Sequence, residues 1–137
     1  MDFNSNQTIV SQIVTHVKKQ IFSGKLAPGE KILPIREQAA YCSVNPNTIT
    51  KAYAVLEAEK LIYTDSTLGK FVSQNVAYLQ AKRKEYLQAE LAAFRLSLQA
   101  CGVSQQEFID LVVEEGMLCL ADTKSASNTA KNKFCAT

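Results

Sequence analysis

The sequence predicts a mainly α fold with one small β-hairpin, and three observations predict it. Apolar residues recur at steps of three and four over residues 8–22 and again from Ala77 onward, the repeat of helices with one buried face. Between those stretches, Val44-Asn45-Pro46-Asn47 supplies a capping side chain and a proline at the first turn of another helix. Leu61-Ile62-Tyr63 and Phe71-Val72-Ser73 are short β-favouring runs on either side of the polar turn Thr64 to Lys70.

The bulk numbers narrow the function classes. At 137 residues the chain has room for one ordinary domain, or a small domain with an extension, and a second catalytic domain is excluded by length. The formal net charge is only +2, so a nucleic-acid surface has to be a local arrangement of basic residues. Met1 to Gln7 is polar and no apolar run approaches the ~18 residues of a membrane span, so a cytoplasmic protein without a membrane partner is expected.

Cys42, Cys101, Cys119 and Cys135 are scattered without a Cys-x-x-Cys pair, and His16 has no neighbouring ligand. Reduced thiols are expected, with no metal site and no cofactor. There is also no phosphate loop and no nucleophile beside a base, so no catalytic residue is assigned.

Taken in order, Ile9, Val10, Ile13, Val14, Val17 and Ile21 form the stripe of the first helix, which ends near Ser23-Gly24 and leaves His16 and Lys18-Lys19 off the buried face. Pro28-Gly29 turns the chain into the extended piece Lys31-Ile32-Leu33. Pro34 suits the first position of a second helix, because its missing N–H would be unpaired there, and that helix runs to about Tyr41. Cys42-Ser43-Val44 makes the tight connection to the third helix, which is expected to end near Glu59-Lys60.

On the third helix, Ile49, Ala52, Tyr53 and Leu56 share the buried face, while Asn47, Thr48, Thr50 and Lys51 carry hydrogen-bonding groups elsewhere. Beyond the hairpin, one long helix bears Leu87, Leu91, Phe94, Leu98 and Cys101. Gly102 stops it, and Ser104-x-x-Glu107 caps a last helix with Phe108 and Leu111. Past Ala121 the composition predicts a flexible tail, giving domains at 1–75, 76–121 and 122–137.

Three helices, a tight turn between the second and third, and a hairpin make a winged helix-turn-helix, followed here by a two-helix extension. Two helices brace a third whose first turn enters the major groove, while the hairpin reaches the adjacent groove or backbone. Double-stranded DNA is therefore the expected partner.

The residues resemble a known family. Ser23-Gly24-Lys25-Leu26-Ala27-Pro28-Gly29-Glu30-Lys31, Arg36-Glu37-x-Ala39, Val44-Asn45-Pro46-Asn47-Thr48-Ile49, Ala52-Tyr53-x-x-Leu56-Glu57 and Gly69-x-Phe71-Val72 stand in the order and spacing of the GntR bacterial transcription regulators, and the short extension resembles the YtrA subfamily. The resemblance implies DNA contacts from Arg36, Asn45, Asn47, Thr48 and Thr50. Lys51 joins them by reach and charge, and Asn, Thr and Arg suit adenine, phosphate or thymine methyl, and guanine in turn.

Departures from the family pattern mark weaker contacts. Ile32-Leu33-Pro34 shifts the usual proline and removes a hydroxyl, Gln38 replaces a leucine, and Thr67-Leu68 replace a glycine and a basic residue in the wing. Lys70 and the Gly69 backbone are left as the wing's candidates.

A single winged helix covers a half-site, and specific affinity is gained when two are held at a fixed spacing. Leu87, Leu91, Phe94, Leu98, Phe108 and Leu111 carry more apolar surface than two helices bury on each other, so self-association into a homodimer is expected. The resemblance implies a dimeric repressor of an inverted-repeat operator, often of ABC-transporter operons. The alternative is a redox- or ligand-responsive regulator acting through Cys101, Cys119 and the dimer helices; no residue pattern identifies an effector.

Overall fold

The computed structural model describes residue 3 and residues 7–125, with 117–125 as helical backbone. The chain divides into two compact units, Met1–Arg83 and Lys84–Thr137.

The first unit begins with α1 (Ile9–Phe22), capped by Thr8, whose hydroxyl accepts from the Ser11 N–H at 3.1 Å. Its buried stripe is Ile13, Val14, Val17 and Ile21, the face the sequence repeat specifies. α2 (Ile35–Cys42) starts one residue later than expected, because Pro34 is the cap and not the first helical residue. At ψ 155° Pro34 is still extended, yet its carbonyl accepts the Gln38 N–H at 2.9 Å and so opens the helix. No side chain caps this end, in keeping with the missing hydroxyl.

Ser43 ends α2 in the left-handed region, at φ 57°, and Val44 N–H returns to the Ala39 carbonyl at 3.0 Å. That geometry turns the chain into α3 (Pro46–Ala58) within three residues. Ile49, Ala52, Tyr53 and Leu56 of α3 are buried against α1 and α2. Each such large apolar side chain contributes about 1.5–3 kcal/mol by leaving water. Lys18 of α1 reaches Glu59 just past α3, with Nζ 2.9 Å from its Oε2.

β1 (Ile62–Asp65) and β2 (Gly69–Val72) pair antiparallel in the register Ile62↔Val72, Tyr63↔Phe71, Thr64↔Lys70 and Asp65↔Gly69. The strands extend further toward the tip than the sequence runs indicate, because Asp65 builds the turn itself. Its Oδ1 accepts from the Thr67 N–H, Thr67 hydroxyl and Leu68 N–H at 2.9, 2.7 and 3.0 Å. Those bonds, led by the Thr67 hydroxyl, hold the Asp65 carboxyl below the usual carboxylate range.

The extended piece before α2 completes the sheet on the other side of β2. Gly29 N–H donates to the Val72 carbonyl at 3.0 Å, Val72 N–H to Glu30 at 2.8 Å, and Ile32 N–H to Lys70 at 3.0 Å. α4 (Val76–Gln99) starts in this unit, burying Leu79 and sending the Tyr78 hydroxyl to the Glu59 carbonyl at 2.6 Å.

The second unit holds the rest of α4 and α5 (Gln105–Ser125). Gly102, at φ 78°, ends the α4 segment, and Ser104 accepts the Glu107 N–H at 3.2 Å to start α5, as the capping pattern requires. The Phe94 and Phe108 rings meet at 6.2 Å. α5 continues to Ser125, past the end expected at Ala121; the remainder of the expected tail, 126–137, lies outside the described residues.

Candidate nucleic-acid interface

The interface is built on the end of α3 that the fold leaves uncovered. Asn45 fixes that end: its Oδ1 accepts the Asn47 N–H at 2.8 Å, and its carbonyl accepts Thr48 N–H at 2.9 Å. The Asn45 oxygen is thus used within the protein, while its amide NH2 is the part that can turn outward to a base edge or phosphate. Asn45, Asn47, Thr50 and Lys51 are exposed and Thr48 is half-buried.

Asn47, Lys51, Ala54 and Ala58 follow one another at helical spacing and all are exposed, which defines the outer face opposite Ile49, Ala52, Tyr53 and Leu56. Polar groups occupy its first turn and small methyl groups the next two. Small side chains leave the α3 backbone accessible there, and a methyl such as that of Ala54 is of the chemistry that meets a thymine methyl. Ala54 carries no polar group and so escapes a search for hydrogen-bonding residues; its signal is its place three residues after Lys51. Thr50 is partly occupied, since its hydroxyl donates to the Pro46 carbonyl at 3.1 Å and keeps only acceptor capacity.

Arg36 is exposed in the first turn of α2. Beneath that helix Gln38 is 5% exposed and its Nε2 donates to Cys42 Sγ at 3.3 Å, which explains how an amide is tolerated where the family favours leucine. The free Cys42 thiol is buried and that of Cys101 exposed; nothing is described of the Cys119 side chain.

The wing behaves differently from the expectation for Lys70. Residues alternate across a strand, so Lys70 and Thr64 share the face of buried Val72 and Ile62, toward α3. There the Lys70 ammonium donates to the Glu57 carboxylate and, at 2.7 Å, to the Thr64 hydroxyl, which itself donates to Glu57. The Lys70 bond, followed by that from Thr64, lowers the Glu57 pKa.

On the opposite face Tyr63 and Phe71 stack at 5.7 Å, and exposed Lys31 bridges to Phe71. Lys31 also lies over Gly69: a Cβ at that glycine, where φ is 113°, would stand 3.1 Å from Lys31 Cε. Lys31 was not among the expected contacts, and its strand pairing with Phe71 is the feature that places it on the wing.

His16 is not the solvated residue its position off the apolar stripe suggests. It is half-buried, its ring lies 6.2 Å from that of Tyr41, and its Nε2 has no hydrogen-bond partner among the described residues. Among those residues there is likewise no cluster of metal-ligating groups and no helix long and apolar enough to cross a membrane.

Charge is divided unevenly. Ten of the fifteen Lys and Arg and six of the thirteen Asp and Glu lie in Met1–Arg83, giving +4 there and −2 in the remainder. The modest total therefore understates the field at the winged helix.

A helix-turn-helix with an exposed, capped recognition helix and a paired wing defines the class, a DNA-binding winged helix. Residues 9–72 match the bacterial regulatory proteins of the gntR family, and the chain is similar to transcription regulators of that family. It is 37% identical over 75 residues to the HTH-type transcriptional repressor YtrA of Bacillus subtilis (strain 168), a match covering 55% of this chain and 58% of that repressor.

Among solved structures, it superposes on a GntR family transcriptional regulator from Listeria monocytogenes with a TM-score of 0.77 and 28% identity, over 82% of this chain and 98% of the other. A transcriptional antiterminator from Listeria monocytogenes EGD-e matches with a TM-score of 0.65 and 36% identity, over 85% and 87%. The likeness to YtrA agrees with the resemblance carried by the sequence motifs.

Proposed function

We propose that this regulator is a homodimeric, sequence-specific repressor that occupies an inverted-repeat operator in the cytoplasm. The observation that carries the reading is the outer face of α3, where Asn47, Thr50 and Lys51 stand exposed around an end fixed by Asn45. Arg36 adds a second cation for the phosphate backbone, and Thr48 a hydroxyl at the rim. The repressor sense follows the similarity to YtrA, and the resemblance to its subfamily makes an ABC-transporter operon the target class.

Dimerisation is supported by apolar surface in the second unit. Leu87, Leu91, Phe94 and Leu111 are 46, 56, 52 and 40% exposed even though Phe94 already meets Phe108. Leu98 and Phe108 are half-buried beside them. A second copy covers such a face and sets the spacing of two α3 helices.

Selection of bound sequences from random duplexes tests the reading. The expected result is a short palindrome bound by two chains, with affinity falling steeply as salt rises. Equal affinity for that palindrome and its scrambled form at physiological salt would overturn it.

A further inference from the structure

We infer that Glu57 is a specificity-determining residue that keeps the wing lysine off DNA. Lys70 is the basic residue of the wing hairpin, yet it faces α3, and its ammonium is held by Glu57 of α3 and Thr64 of β1. The three side chains close a ring of hydrogen bonds, because Thr64 also donates to the same Glu57 oxygen. Lys70 and Glu57 are 23% and 34% exposed, so the pair is partly withdrawn from solvent.

Two consequences follow from that arrangement. The ring joins the hairpin to the recognition helix and fixes where the wing stands when Asn47 and Lys51 enter a groove. It also neutralises a cation that would otherwise meet a phosphate at any sequence. Phosphate contacts carry no base information, so an additional one strengthens non-specific binding more than it helps discrimination. A shallow recess of about 380 Å³, lined by Glu57, Lys60, Ile62, Tyr63, Thr64 and Ser73, borders two of the three members, and the Lys70 side chain is itself partly exposed. Loss of the carboxylate therefore frees the Lys70 ammonium to turn toward solvent.

The inference rests on the DNA-binding reading, and the two are separated by different readouts. Retention of duplex by the wild-type chain bears on that reading; a difference in salt slope between variants bears on this one. Binding to non-specific duplex is measured against salt for wild type, Glu57→Gln and the double variant Glu57→Gln, Lys70→Gln, with circular dichroism confirming that each is folded. Glu57→Gln is expected to bind more tightly and to steepen the plot of log K against log salt by about 0.9, one further phosphate contact. The double variant is expected to return to the wild-type slope.

Lysine acetylation followed by mass spectrometry supplies a readout without DNA. Lys70 should react slowly in the wild-type chain and several-fold faster in Glu57→Gln. A slope unchanged by Glu57→Gln, a steeper slope that survives in the double variant, or equal acetylation of Lys70 in both proteins would each overturn the inference.

Discussion

The Tyr53 hydroxyl donates to the Leu33 carbonyl at 2.8 Å, joining the middle of the recognition helix to the residue before Pro34. The ring is 1% exposed, and burial, with Cys42 as the smaller cause, pushes the phenol well above its ordinary value of 10.0. It remains a neutral donor at physiological pH. Tyr53→Phe leaves the Leu33 carbonyl without that donor, and the expected cost is about 1–3 kcal/mol in urea unfolding. Stability equal to wild type would show that water replaces the phenol there.

Asn45 has two roles that two substitutions separate. Asn45→Ala removes the cap and should lower stability by about 0.5–2 kcal/mol. Asn45→Asp keeps an acceptor for the Asn47 N–H but deletes the amide NH2 and brings a negative charge to the groove. Its stability should stay near wild type while operator affinity falls; undiminished affinity would confine Asn45 to capping.

His16 makes stability depend on pH. Burial first, then the Lys25 and Lys19 ammoniums among the charges near it, hold its pKa below the ordinary 6.5. The folded state thus binds fewer protons than the unfolded state between those two values. Its contribution is complete above about pH 6.5 and is lost as pH falls from there through the lowered folded pKa. Urea midpoints taken from pH 8 to pH 5 should show a decline that His16→Gln reduces, and equal declines in the two proteins would assign it to other groups.

The proposed dimer face is probed at Phe94, which is 52% exposed. Phe94→Asp should shift sedimentation from dimer to monomer with helical content retained. Operator affinity should then fall by roughly a hundredfold or more, since the second half-site no longer gains from a high effective concentration. An unchanged dimer would place the association elsewhere.

Much of this fold is legible in the sequence because its signals are local. The stripe of α1, the Asn45-Pro46 start of α3, the Gly102 stop and the Ser104 cap each depend on residues within about a turn of one another. The start of α2 differs by one position from the sequence expectation because proline suits the residue before a helix as well as its first turn, and composition does not separate the two. The strands run further toward the tip than composition indicates, because Asp65, a turn former, closes the turn from within a strand.

The candidate site was less legible where tertiary geometry assigns a side chain. Asn47 and Lys51 are exposed simply because they lie opposite Ile49 and Leu56. Lys70 has the composition of a wing contact, but its even separation from buried Val72 turns it toward α3. That parity was available once the register was known. Glu57 gives no local sign that it will receive Lys70, and the half-burial of His16 depends in part on Tyr41 from another helix.

The pairing of residues 29–32 with β2 also sets an order of assembly. Glu30 and Val72 meet only after the chain has looped around both α2 and α3, whereas the turn between those helices closes over a few residues. Closing the larger loop carries the larger entropic cost, so this ladder belongs to a late step of folding. During synthesis, a chain that has emerged only as far as Lys60 already holds the sequence of the recognition helix but lacks the strand that covers Ile32. The wing is therefore completed only when residues 69–72 join residues 29–32, and the helix-turn-helix segment on its own lacks that ladder.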